Sequence, residues 1–179
     1  MSNLEEKRIC REEIFHGVAL HVVKDEVLLP NGNKSVREIS LHVGASAVIP
    51  ILGDGRVIME RQYRYAHHRV MLEIPAGKLN GPDEDPLIAA KRELREETGA
   101  EAKKYTYLGS IATAPALIDE VIHLYMAEDI SFGERELDPD EFLDLELIHI
   151  DKLCEMVMNG EIADAKTQIA VLKARELLK

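Results

Sequence analysis

Apolar and polar residues alternate with a period close to two along residues 15–29 and again along 36–43, which predicts two strands. The Pro30-Asn31-Gly32-Asn33 run between them is rich in turn formers and predicts a hairpin. A second hairpin is expected where residues 46–52 and 56–63 flank Gly53-Asp54-Gly55, because an Asp-Gly pair accepts positive φ. A short apolar run over 71–75 then leads into an Ala76-Gly77 turn. From residue 85 to 98 the period changes to that of a helix. Leu87, Ala90 and Leu94 recur at i, i+3 and i+7 and form its buried stripe, with the carboxylates expected beside that stripe, not under it. Pro86 suits the first turn, and Gly99 is a natural stop. Residues 104–112, 121–127 and 143–150 again read as strands, and 151–158 and 163–178 as helices. This order of mixed elements, with no internal repeat, predicts an α+β fold in which the acidic helix packs on a sheet.

At 179 residues and 46% hydrophobic content the chain can bury a proper core, and one soluble domain is the simplest expectation. No run approaches the ~18 apolar residues of a membrane span. The opening MSNLEEKRICREE carries both charge signs and no apolar signal core, so a cytoplasmic protein is expected. Cys10 and Cys154 lack metal-ligand spacing and read as ordinary thiols. A net charge of -11 argues against nucleic-acid or anionic-membrane partners. A small anionic substrate would therefore need a metal and local arginines. Seven histidines are scattered, none forms HExxH or another metal spacing, and His67-His68 reads as a loop feature, not a ligand pair.

The chemistry concentrates in the helix EDPLIAAKRELREETGA. Glu93, Glu96 and Glu97 are related by i, i+3 and i+4, so three like charges share one arc of its surface. A divalent cation relieves that repulsion, and hard oxygen ligands suit Mg²⁺ or Mn²⁺. For the helix taken alone, a solvated acidic face is the simpler alternative. The wider spacing decides between them. Gly77 precedes Glu84, seven residues separate Glu84 from Arg92, and Arg92-Glu93-Leu94-Arg95-Glu96-Glu97-Thr98-Gly99-Ala100 follows. This resembles the Nudix box, GX5EX7REUXEEXGU, with one departure: six residues lie between Gly77 and Glu84, the extra one falling in the Asn80-Gly81-Pro82-Asp83 turn.

The resemblance implies an α/β/α sandwich on a mixed sheet, with the box forming a loop, a helix and a loop. It implies that Glu93 and Glu97 ligate metal directly, with the Ala76 carbonyl as a further ligand and Glu96 close behind. Arg92, four residues before Glu96 and eight after Glu84, is placed to pair with carboxylates and hold helix and loop in shape. Segments outside the box resemble the ADP-ribose pyrophosphatase branch. Pro115 lies sixteen residues after Gly99 in Ala114-Pro115-Ala116-Leu117-Ile118-Asp119-Glu120, similar to a substrate-class marker of that branch, although Ala116-Leu117 replace its usual Gly-Phe pair. Arg61-Gln62-Tyr63-Arg64 and Leu72-Glu73-Ile74-Pro75-Ala76-Gly77-Lys78 are also similar. Arg64 is the implied phosphate contact, since a guanidinium grips phosphate oxygens bidentately. Arg37, Phe15 and Glu120 are the other candidate substrate contacts, with Phe15 placed for a base. The acidic run Glu136-Leu137-Asp138-Pro139-Asp140-Glu141-Phe142 stands where the branch keeps a mobile catalytic glutamate, so Glu141 is the first candidate base and Asp140 the second.

The expected activity is Mg²⁺-dependent hydrolysis of ADP-ribose to AMP and ribose 5-phosphate by a homodimer. Residues 1–42 would form dimerisation strands and 43–179 the hydrolase domain. GDP-mannose or NADH as substrate, or a non-catalytic ADP-ribose sensor, are the alternatives.

Overall fold

The pattern that predicted one strand over residues 15–29 is broken at Gly17, where the chain reverses. The Gly17 N–H donates to the Leu20 carbonyl at 2.8 Å and closes the turn. A β-carbon on Gly17 would stand 2.6 Å from the Phe15 ring, so any side chain there would displace the ring. Three strands result instead of two: β1 (Lys7–His16), β2 (His21–Leu28) and β3 (Lys34–Leu41), an antiparallel sheet in the order β1-β2-β3. Arg37 and Glu38 consequently lie on the third strand. The computed structural model describes residues 4–137, 139 and 141–179.

This sheet belongs to the first of two compact units, which joins residues 4–43 to Ala112–Glu120. The second segment runs along the edge of β3. Ser40 donates its N–H to the Leu117 carbonyl at 2.8 Å, and the His42 N–H reaches Asp119 Oδ1 at 2.7 Å. Val23, Asp25 and Val27 are buried on β2, while every residue of β1 is exposed. Arg11 spans to Asp25 through two hydrogen bonds of 2.7 Å, which pairs the buried carboxylate and holds it below the usual carboxylate range.

The second unit joins Gly44–Ile111 to Val121–Lys179. Its strands are β4 (Ala45–Pro50), β5 (Arg56–Arg64), β6 (Arg69–Glu73), β7 (Ala76–Lys78), β8 (Ala100–Ala112, whose last residue falls in the first unit), β9 (Val121–Phe132) and β10 (Leu143–His149). Its helices are α1 (Pro86–Thr98), α2 (Ile150–Met158) and α3 (Ala165–Leu177). The strands form one mixed sheet in the order β7-β4-β9-β8 and a second in the order β10-β5-β6. β4 runs parallel to β9 and antiparallel to β7, and it is buried at every residue, as a strand covered on both faces must be. Successive side chains sort to opposite faces. Ala47, Ile49, Val57 and Met59 join Leu153, Val171 and Ala174 of α2 and α3, whereas Val48 and Ile58 join Ala90 and Leu94 of α1. Helices therefore cover both faces, and the fold is the α+β sandwich that the sequence predicts. No helix of the described residues is long and apolar enough to cross a membrane.

Candidate active site

The acidic helix α1 forms where its punctuation places it. Asp85 is the N-cap, accepting the Leu87 N–H at 2.8 Å, and Pro86 opens the helix. Gly99 closes it at φ 68°, donating its N–H to the Arg95 carbonyl at 2.8 Å. Ala90 and Leu94 are fully buried, as the stripe predicts. The carboxylates depart from expectation. Glu93 and Glu97 are themselves buried, at 7% and 4% exposure, instead of lying beside the stripe. Their i, i+4 row faces the backbone of Ala76 and Gly77, with the Glu60 charge acting on Glu97.

Gly77 shows how close that approach is. A β-carbon at this position would lie 2.0 Å from Glu93 Oε1, so the box glycine is required by space. The Ala76 N–H donates to Glu97 Oε2 at 2.9 Å, which fixes the second carboxylate against β7. Arg92 ties the parts together: Nη1 reaches Glu93 Oε1 at 2.6 Å and Glu96 Oε2 at 3.2 Å, Nη2 donates to the Lys78 carbonyl at 3.0 Å, and Nε lies 3.6 Å from Glu84. Glu96 is shared between Arg92 and Arg95 and stays partly exposed.

Sequence reasoning passed over the strand residues that complete this site. Glu60 of β5 is 3% exposed, and its Oε1 has no hydrogen-bond partner. Glu73 of β6 pairs with it across the ladder. Each follows an apolar run, Val57-Ile58-Met59 and Met71-Leu72, and a charge ending such a run was the available signal. Burial raises Glu97 to about 10, helped by the charges of Glu60 and Glu93. Burial likewise raises Glu60 to about 8 and pushes Glu93 up. Glu73 goes the other way. Burial would raise it, but the Arg64 hydrogen bonds of 2.7 and 2.9 Å and the Lys166 ammonium bring it down to about 2. Arg64 thus spends Nε and Nη2 on Glu73, and its side chain is 41% exposed.

The loop before β10 is pinned to the end of α1. Gly133 donates its N–H to the Gly99 carbonyl at 2.6 Å, Glu136 to Glu96 at 3.1 Å, and Arg135 Nε to the Glu97 carbonyl at 2.8 Å. Glu141 in this loop is near enough for its charge to raise both Glu93 and Glu97. Asp138 and Asp140 lie outside the described residues. The remaining candidates are in the first unit. Arg37 grips Glu6 at 3.0 and 2.6 Å, Phe15 is exposed on β1, and Glu120 accepts the Thr113 hydroxyl at 2.7 Å with His42 Nε2 3.6 Å away.

An oxygen-only set with one unpartnered buried oxygen and mutually repelling charges fits a hard divalent cation. A stability consequence follows from the raised carboxyls. The folded chain retains protons at Glu60 and Glu97 that the unfolded chain releases above about pH 4.3. In EDTA, stability is therefore lost as pH rises from there through about 8 to 10. Thermal unfolding is expected to show a lower Tm at high than at neutral pH in EDTA, with added Mg²⁺ closing the gap. A pH-independent Tm in EDTA would mean these carboxylates ionise without cost.

A loop-helix-loop carboxylate site on a mixed sheet between helix layers defines the class, and residues 40–169 match the NUDIX domain model. The chain belongs to the Nudix family, whose hydrolases generally use divalent metal ions. It is 42% identical to an ADP-ribose pyrophosphatase of Bacillus subtilis over 183 aligned residues, covering 100% of this chain and 98% of that one. It is 45% identical to a methanol dehydrogenase activator of Bacillus methanolicus, covering 98% and 96%. An ADP-ribose pyrophosphatase of Mycobacterium tuberculosis is 31% identical, with 96% and 84% covered. The crystal structure of an ADP compounds hydrolase shares the fold, with a TM-score of 0.85 at 23% identity and 97% and 94% covered.

Proposed function

We propose that this chain hydrolyses the pyrophosphate bond of ADP-ribose to AMP and ribose 5-phosphate with Mg²⁺, in the cytoplasm and as a homodimer. The observation that carries the reading is the end-to-end similarity to an ADP-ribose pyrophosphatase in a chain with an intact buried carboxylate set. Glu93 and Glu97, with the Ala76 carbonyl, are the residues that would hold the cation, and Glu60 and Glu96 flank them. When bound, it supplies positive charge to the pyrophosphate oxygens and acidifies the attacking water. Glu141 would accept a proton from the attacking water as its oxygen bonds to phosphorus, the bridging P–O bond would break, and the leaving phosphate would take up a proton in turn. Arg92 holds Glu93 and the Glu84 loop in place without touching substrate. Arg64, positioned by Glu73, offers its exposed edge to a phosphate. Arg37, Phe15 and Glu120 of the first unit are proposed as substrate contacts on the family resemblance alone.

Dimerisation is supported by β1, which leaves Ile9, Ile14 and Phe15 at 47%, 52% and 55% exposure on an unpaired edge. Light scattering is expected to give a dimer mass, and removal of residues before Ser40 an inactive monomer or aggregate. A fully active monomer would refute the need for a dimer.

Turnover of ADP-ribose, GDP-mannose and NADH in ¹⁸O-water with Mg²⁺ tests the activity, with AMP and ribose 5-phosphate expected fastest and the label in one product. Faster release from another nucleotide would move the substrate. A second reading, regulation of a partner enzyme, is favoured by the Bacillus methanolicus relative's name. Binding of ADP-ribose without turnover of any nucleotide would favour it.

A further inference from the structure

The N-terminal sheet carries a cluster that no part of the hydrolase reading uses. In an unbroken strand, residues three apart face opposite sides, so Glu13 and His16 would point away from each other. The β1–β2 ladder shifts register between Glu13 and Phe15, and this bulge changes the parity by one. His16 then pairs directly opposite His21, the last pair before the Gly17 turn. The two imidazoles stack at 4.3 Å with 10° between their planes. Both converge on one carboxylate: His16 Nδ1 lies 3.8 Å from Glu13 Oε1, and His21 Nε2 lies 3.1 Å from Glu13 Oε2. One ligand atom from each residue falls within 4.8 Å of the others.

We propose that Glu13, His16 and His21 form a second metal site, for a borderline divalent transition ion such as Zn²⁺. Two imidazoles and a carboxylate are a donor set of that class, whereas the all-oxygen set of the box suits a hard cation. A tetrahedral ion with bonds of about 2.1 Å wants donors about 3.4 Å apart, which modest rotations supply here. Those rotations meet little resistance, because the side chains are 60%, 62% and 32% exposed for Glu13, His16 and His21. The rival explanation is an ordinary cross-strand ion pair between Glu13 and His21. It accounts for one contact but gives no role to the bulge that brings His16 to the same carboxylate. A bound ion would staple the two strands at their turn, with the fourth position open to water.

The test is a Zn²⁺ titration of the full chain followed by imidazole ¹⁵N resonances. The carboxylate set of the box contains no histidine, so binding there leaves the readout unmoved. Saturable shifts of His16 and His21 together are expected, with none from Mg²⁺. His21→Ala is expected to abolish the His16 shift, and Glu13→Gln to weaken binding by about tenfold or more. Unchanged β1 and β2 amide spectra show that each variant folds, and His16→Ala repeats the test from the other ligand. No saturable shift in the wild type, shifts confined to other histidines, or a full His16 response in His21→Ala would each overturn the site.

Discussion

Replacing Glu97 by glutamine is expected to lower turnover by roughly 10² to 10³ fold, the loss typical when one electrostatic stabiliser of a transition state is removed. The effect is large because Glu97 is 4% exposed, so no solvent charge substitutes for it. The fold is expected to survive. Glutamine keeps an acceptor oxygen for the Ala76 N–H, and it removes the carboxyl that Glu60 and Glu93 repel. Glutamine also needs no proton, whereas the folded wild type at neutral pH retains one on Glu97 that the unfolded chain releases, so the metal-free variant is expected to melt higher than the metal-free wild type, by about 2–4 °C for each kcal/mol of that cost in a chain of this size. Its Tm should respond far less to Mg²⁺. Turnover and Tm measured together separate a lost ligand from a damaged fold. Wild-type turnover at limiting Mg²⁺ would sink the assignment of Glu97 as a ligand.

Glu141→Gln is expected to slow hydrolysis by about 10² to 10⁴ fold, the range for loss of a general acid-base group, with ADP-ribose and Mg²⁺ affinity nearly intact. Its support is placement. The loop is fastened to the C-terminal end of α1 by Gly133, Arg135 and Glu136, and the Glu141 charge acts on Glu93 and Glu97. The expected signature is a fall in kcat with KM unchanged. Weakened binding would make Glu141 a metal or ribose contact. A near-normal Glu141→Gln beside an inactive Asp140→Asn would move the base by one residue. If both variants turn over normally, Glu96 becomes the leading candidate.

The contrast between the two residues shows what a sequence can carry. Glu97 stood out in the sequence because the pattern that singles it out spans little more than twenty residues: Gly77, Glu84 and Arg92 before it, the i, i+3 and i+4 spacing, and Gly99 after it. Glu60 did not, because a lone charge after three apolar residues in a strand has no partner within reach of local periodicity. Its meaning comes from Glu97, which is 37 residues away in the chain, and from Lys166, which is 93 residues beyond Glu73. The N-terminal strand misreading has a local cause. Alternation along residues 15–29 is indifferent to a turn, and it was the Gly17 reversal that split it.

By itself, then, the sequence determined the helix, its proline start and glycine stop, the order of carboxylates along it and the α+β alternation of elements, because these depend on contacts within a few residues. The tertiary structure alone decided which of those carboxylates are buried, since Gly77, Ala76 and Glu60 approach Glu93 and Glu97 only once β5 and β7 are in place. It also decided that Arg64 first serves Glu73, and that a bulge turns Glu13 toward His16 and His21. The physical reason is common to all three. Burial and side-chain parity are properties of strand register, and register is fixed by pairing between strands, adjacent ones such as β1–β2 and β5–β6 included, which the pattern within one strand does not contain.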